Sequence, residues 1–194
     1  MKKALIGVAA ALCLGFGAST YAADAPGMSR DAHEAAKDKI EAQHKADKKA
    51  CDAMNGNAKD LCQAEAKGKE KIAKAELEAK YKPSAKADEK VRMAKADADY
   101  DIAKEKCDDM KDNAKDVCKK EAKVAHEAAK GQAKASAAAA QKGVNSSSAG
   151  EARKEAAKDT ADAQYGAATE RCEALKGDAK DTCVADAKKK FNKS

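Results

Sequence analysis

The sequence predicts an all-α protein of three disulfide-stapled antiparallel helical hairpins, extended or loosely bundled, with little hydrophobic core. Three observations carry that expectation. One phrase occurs three times, as CDAMNGNAKDLC at 51–62, CDDMKDNAKDVC at 107–118 and CEALKGDAKDTC at 172–183. Alanine and lysine, strong helix formers and poor core builders, dominate everything between the copies. Large apolar residues are almost absent: beyond residue 22, Leu, Ile, Val and Phe together number 12 of 172, against 44 alanines. A chain of that composition cannot bury a conventional core and must be held by other means.

The first residues read as an export signal. Lys2 and Lys3 form a basic start, residues 4–18 an apolar run, and Ser19 to Ala22 a small-residue cleavage site. The run is too short for a transmembrane span, so residues 1–22 are expected to be a cleavable signal peptide, with retention as an anchor the alternative. No membrane span is expected after cleavage. Removal takes away Cys13 and leaves six cysteines, all inside the repeated phrase. An even number in an exported chain reads as disulfides, and the periplasm is the expected location. Six cysteines allow fifteen pairings, but three identical spacings favour Cys51–Cys62, Cys107–Cys118 and Cys172–Cys183.

Those bridges dictate a turn. Eleven residues along one helix advance about 16 Å, whereas a disulfide requires Cα atoms roughly 4.4–6.8 Å apart. Gly56 and Gly177 suit a left-handed, helix-ending position, and Asp112 at the same place in the second copy makes that turn more strained. Asn57, Asn113 and Asp178 follow as expected N-caps, with Asp60, Asp116 and Asp181 three positions on as capping-box acids. Each short loop contributes about 3 kcal/mol through chain entropy. The symmetry about the turn places Ala103 opposite Ala122 and Ala168 opposite Ala187, with Asp47 opposite Ala66. Small residues there let the helices approach closely enough for a bridge. In this register Ala98 lies off the seam. A residue seven before the first cysteine (His44, Tyr100 or Tyr165) is expected to pack against the partner helix.

These signals divide the chain into 1–22 signal peptide, 23–29 disordered start, 30–82 first hairpin, 84–130 second hairpin, 131–150 linker and 151–194 third hairpin. Pro83 ends the first hairpin, and Ser84 caps the next helix. The Gly/Ser/Asn end of 131–150 reads as flexible. Ser148 and Glu151 are expected to form a capping box, and the last lysines to fray.

Chemistry is sparse. His33, His44 and His126 are the only histidines, and His33 and His44 are too far apart for one metal. Cys-x10-Cys matches neither zinc-ligand nor redox-pair spacing. No phosphate loop or catalytic triad pattern is present, so we expect no enzyme, no cofactor and no metal. Acids interleave with lysines, and base-stacking aromatics are lacking, which argues against nucleic acid. Lysine clusters at 67–71 and 188–190 leave a polyanionic envelope component as a candidate partner, beside an unknown envelope protein.

The exported Ala/Lys/Glu-rich helical character resembles the periplasm-spanning middle segment of the cell-envelope protein TolA. The phrase C-x-x-[ML]-x-[GD]-[ND]-A-K-D-x-C-x-x-[ED]-A-K resembles that of small uncharacterised periplasmic proteins often labelled TolA-like, whose label implies a cell-envelope role. ALKGDAKDTC is also faintly similar to the phosphate-starvation-inducible PsiF family. In hydrophilicity the chain is similar to late-embryogenesis-abundant stress protectants. Two functional expectations follow: a structural or interaction protein of the periplasm, or a hydrophilic stress protectant.

Non-reducing peptide mapping of the exported protein is expected to recover the three bridges within repeats. Bridges between repeats as the main species would overturn the hairpin reading.

Overall fold

The computed structural model describes residues 28–141 and 146–194. The expected signal peptide at 1–22, and all of the expected disordered start but its last two residues, lie outside the described residues. Six helices run in order, α1 (Arg30–Cys51), α2 (Gly56–Tyr81), α3 (Ala85–Cys107), α4 (Asp112–Ala140), α5 (Ser146–Cys172) and α6 (Asp178–Lys190), with no strand among the described residues. The helix boundaries follow local chemistry. Ser29 and Ser84 cap α1 and α3, their hydroxyls accepting from the N–H groups of Ala32 at 3.2 Å and Ala87 at 3.0 Å. Asp31 and Asp88 sit in those first turns, and lysines occupy the last turns, each sign matching the helix dipole. Pro83 terminates α2 at Tyr81, because the residue before a proline is driven out of the helical region.

All three disulfides form within their repeats, with Cα–Cα separations of 5.6, 5.6 and 5.7 Å. Each helix packs only against its neighbours in sequence, so the described helices form an open row and not a closed bundle. The buried set shows how little apolar matter holds this row: Ala66, Ala96, Ala98, Ala133, Ala137, Ala167, Ala187, Leu77 and three cysteines. The largest fully buried side chains are Cys51, Cys107 and Cys172.

The expected seam inside each hairpin is present. His126 stacks on Tyr100 with ring centroids 4.5 Å apart, and Tyr165 meets Phe191 edge-on at 6.1 Å. In the first hairpin, His44 occupies the matching place and faces Glu70 at 3.3 Å. The three pairs lie seven residues before the first cysteine and eight after the second, so they form one repeated layer.

A second interface, between hairpins, was not legible beforehand. Gly68 of α2 lies against Ala98 of α3, and Gly131 of α4 against Ala156 of α5. A Cβ at Gly68 would come within 2.8 Å of the Ala98 Cβ, and one at Gly131 within 2.3 Å of the Ala156 Cβ. These backbones therefore approach as closely as glycine permits. Ala98, off the seam of its own hairpin, is only 2% exposed because it is the contact point with the preceding hairpin.

Several expectations are corrected here. Most of the expected linker at 131–150 is helical: α4 continues to Ala140, α5 begins at Ser146, and Gly131, Ala133 and Ala137 are buried, while residues 142–145 lie outside the described residues. Alanine's helix propensity and the docking of Gly131 outweigh the local Gly/Ser signal. Ser148 and Glu151 lie inside α5 and do not open it as a cap. The C-terminus does not fray. Asn192 takes φ +51°, the N–H of Lys193 bonds the Lys188 carbonyl at 2.9 Å, and the Lys193 ammonium reaches Asp162. That geometry satisfies carbonyls the end of α6 would otherwise leave open.

Gly131→Ala is expected to destabilise the oxidised protein by about 1–3 kcal/mol, the usual cost of overpacking. Gly166→Ala, where a Cβ meets nothing within 4 Å, is expected to be neutral or to stabilise by up to about 1 kcal/mol. Urea denaturation of both variants checks this; equal midpoints would exclude the close approach.

Candidate functional site: the stapled turns at one end

The connectivity gathers all three turns at one end of the row. Asn57, in the first turn of α2, donates through Nδ2 to the Glu105 carbonyl at the end of α3, at 2.8 Å. Asn113 of α4 donates in the same way to the Glu170 carbonyl at the end of α5, also at 2.8 Å. Adjacent stapled turns are thus tied side by side.

Nearly every position of the repeated phrase has a local task. Each first helix closes with a tight turn, in which the N–H groups of Asp52, Asp108 and Glu173 bond the carbonyls of Lys49, Glu105 and Glu170 at 3.0–3.2 Å. Two residues on, the N–H groups of Met54, Met110 and Leu175 bond the carbonyls of Cys51, Cys107 and Cys172 at 3.0 Å. The chain then reverses through a left-handed residue, Gly56 at φ +57°, Asp112 at +50° and Gly177 at +55°. Asp112 adopts the strained conformation that its position requires. The acid after the first cysteine pairs with the lysine three before the second: Asp52 with Lys59 at 3.2 Å, Asp108 with Lys115 at 2.9 Å, and Glu173 with Lys180 at 2.6 Å. Lys119 joins the second pair at 2.6 Å. Hydrogen bonds from Lys119 and Lys115 hold the Asp108 carboxyl below the usual carboxylate range.

The cap assignments change. The left-handed residues do not end the first helices, which stop at the cysteines; they open the second helices. Asn57 and Asn113 are not N-caps, since the cap positions are Asn55 and Lys111, and neither makes a side-chain cap bond. Asp178 is the first residue of α6 and follows Gly177 at the cap. Asp60, Asp116 and Asp181 lie exposed on the surface, and no capping box forms through them. The asparagines reach instead to carbonyls in the last turn of the neighbouring helix, which also accept from the N–H groups of Asp108 and Glu173. In the third copy the Asp178 side chain has no N–H to donate.

Charged pairs line the remaining grooves. Asp60, Lys67, Asp101 and Lys104 flank the groove between α2 and α3, and Lys120, Lys123, Asp159 and Asp162 that between α4 and α5. The histidines are tied to carboxylates across helices, His33 to Glu78 and His126 to Asp97, both at 2.7 Å. His33 also stacks on Tyr81 at 4.2 Å. Among the described residues no group of three or more His, Cys, Asp or Glu is placed to hold a metal ion. No helix among them is long and apolar enough to cross a membrane.

What the turn end does present is apolar. Met54, Met110 and Leu175, one from each turn, are 43%, 46% and 42% exposed, and are the exposed large apolar side chains among the described residues. Fold and site together define a row of disulfide-stapled helical hairpins with a patterned end. No family model matches the chain, and searches of curated proteins and solved structures return no match.

Asn113→Asp is expected to destabilise the protein by about 1–2 kcal/mol, because it turns a donor toward a carbonyl into an acceptor. Asp178→Asn is expected to be neutral. Thermal denaturation of the two variants tests the tie between hairpins; equal losses would exclude it.

Proposed function

We propose that this chain is a non-enzymatic structural or interaction protein of the periplasm, presenting stapled hairpins to an envelope partner. The observation that carries this reading is the expenditure of all six cysteines of the repeats on three short bridges at one end of the row. Structural disulfides persist in oxidising compartments, and the expected signal peptide points the same way. A bridge across each turn holds the shape of that turn, which matters for a surface that is recognised.

Further support comes from the side chains. Many lysines already face carboxylates across helices, such as Lys71 with Asp101, Lys95 with Glu76 and Lys134 with Glu155. A lysine engaged in this way is less free for a polyanion, so a protein partner is the preferred reading over a polyanionic envelope component. The alternative, a hydrophilic stress protectant, rests on composition and on work done while largely unfolded. The half-buried histidine–tyrosine stacks and the glycine contacts favour a folded chain.

Circular dichroism and limited proteolysis of the oxidised protein, freed of residues 1–22, in dilute buffer decide between the two. High helicity with protease resistance is expected. A chain that stays disordered until dried would replace this reading with the protectant.

A further inference from the structure

We infer that the middle staple, Cys107–Cys118, is a redox-sensitive joint of the row: a small thiol opens it before the others, by attack at Cys118, and its opening disconnects the outer hairpins from each other. This goes beyond the interaction reading above and does not depend on which partner is bound.

Access fixes where a thiol attacks. Cys51, Cys107 and Cys172 leave 0%, 1% and 1% of their surface in water, whereas their partners Cys62, Cys118 and Cys183 are only half-buried. In the folded protein a thiolate therefore reaches each bridge through its second cysteine. The chemistry is thiol–disulfide exchange. The thiolate of a small monothiol bonds to the Cys118 sulfur. The Cys107–Cys118 bond breaks, and its electron pair leaves with Cys107 as a thiolate, which takes a proton from water. A second thiolate attacks the attached sulfur, releases Cys118 as a thiolate and departs as the symmetrical disulfide. Two thiols are oxidised and one bridge is reduced.

Access does not rank the three bridges, since each shows the same pattern. The turn does. A closed bridge holds the reversing residue in the left-handed region, at φ +57° for Gly56, +50° for Asp112 and +55° for Gly177. Glycine enters that region without steric cost, whereas the Cβ of Asp112 crowds the backbone there. Once a bridge is open, nothing covalent keeps the residue in that conformation. The second copy is thus relieved of a cost that its neighbours do not carry.

The place of this copy gives the exchange a structural effect. Among the described helices, the first and third hairpins make no contact with each other; α2 packs on α3, and α4 on α5. Both asparagine ties also involve the middle turn. Asn57 reaches the carbonyl of Glu105, two residues before Cys107, and Asn113, which reaches Glu170, directly follows Asp112. Loss of an outer staple loosens one junction of the row. Loss of the middle staple loosens both.

The test takes the exported, oxidised protein, with any free thiol blocked by N-ethylmaleimide, and equilibrates it in graded glutathione buffers. Alkylation with iodoacetamide and peptide mapping then read the state of each cysteine. Cys107–Cys118 is expected to favour reduction by about fivefold over either flanking bridge. The early mixed disulfide is expected on Cys118, with Cys107 alkylated. Asp112→Gly is expected to bring the middle bridge level with the others, and Gly177→Asp to ease reduction of Cys172–Cys183. In small-angle X-ray scattering, Cys107→Ser/Cys118→Ser is expected to expand the chain more than Cys51→Ser/Cys62→Ser or Cys172→Ser/Cys183→Ser. An outer bridge that opens first, or an Asp112→Gly variant reduced as readily as wild type, overturns the order. Glutathione found chiefly on Cys107 overturns the point of attack. Equal expansion of the three serine variants overturns the joint.

Discussion

Everything in this structure depends on a disulfide closing a short turn between two helices. The bridge requires Cα atoms within about 6 Å, which is nearer than helices ordinarily pack. It therefore constrains what can stand beside it. Ala66 and Ala187, one turn beyond the second cysteine in the first and third copies, are buried and small. The bridge also replaces apolar burial as the source of order. In a chain whose largest fully buried side chains are cysteines, loop-closure entropy does what a core does elsewhere.

The staple alone would yield three separate hairpins. Two further devices join them into a row. Glycines at 68 and 131 remove the side chain from the point of contact, so the backbones of adjacent hairpins meet through a single alanine methyl. Asparagines at 57 and 113 then bond a carbonyl at the end of the next hairpin's first helix. Ion pairs across helices add little individually, but their placement favours one register over shifted ones. Asp178, standing where a third asparagine would reach outward, leaves the last turn with no such donor.

These constraints have a functional consequence. In this row each described helix touches only its sequence neighbours. What the row does well is hold equivalent turns in fixed order at one end, each with the same half-exposed apolar side chain.

The hairpins, their three bridges and the packing of His44, Tyr100 and Tyr165 across the seam were legible in the sequence. Each is a local consequence of spacing: two cysteines placed symmetrically about a turn, and a side chain two helical turns below. The cap roles of Asn57 and Asn113 were misread because an asparagine before a helix looks the same whether it bonds its own backbone or a neighbour's. The alanine-rich stretch up to residue 140 was misread as linker because it had a partner that composition does not name. Sequence by itself thus determined the helices, the turns and the bridges, whose interacting groups lie within a dozen residues of one another. Tertiary structure alone decided that the hairpins dock through Gly68–Ala98 and Gly131–Ala156 and that all three turns share one end. Those contacts join residues about 25 to 57 positions apart, and small side chains carry too little pattern to announce a partner at that distance.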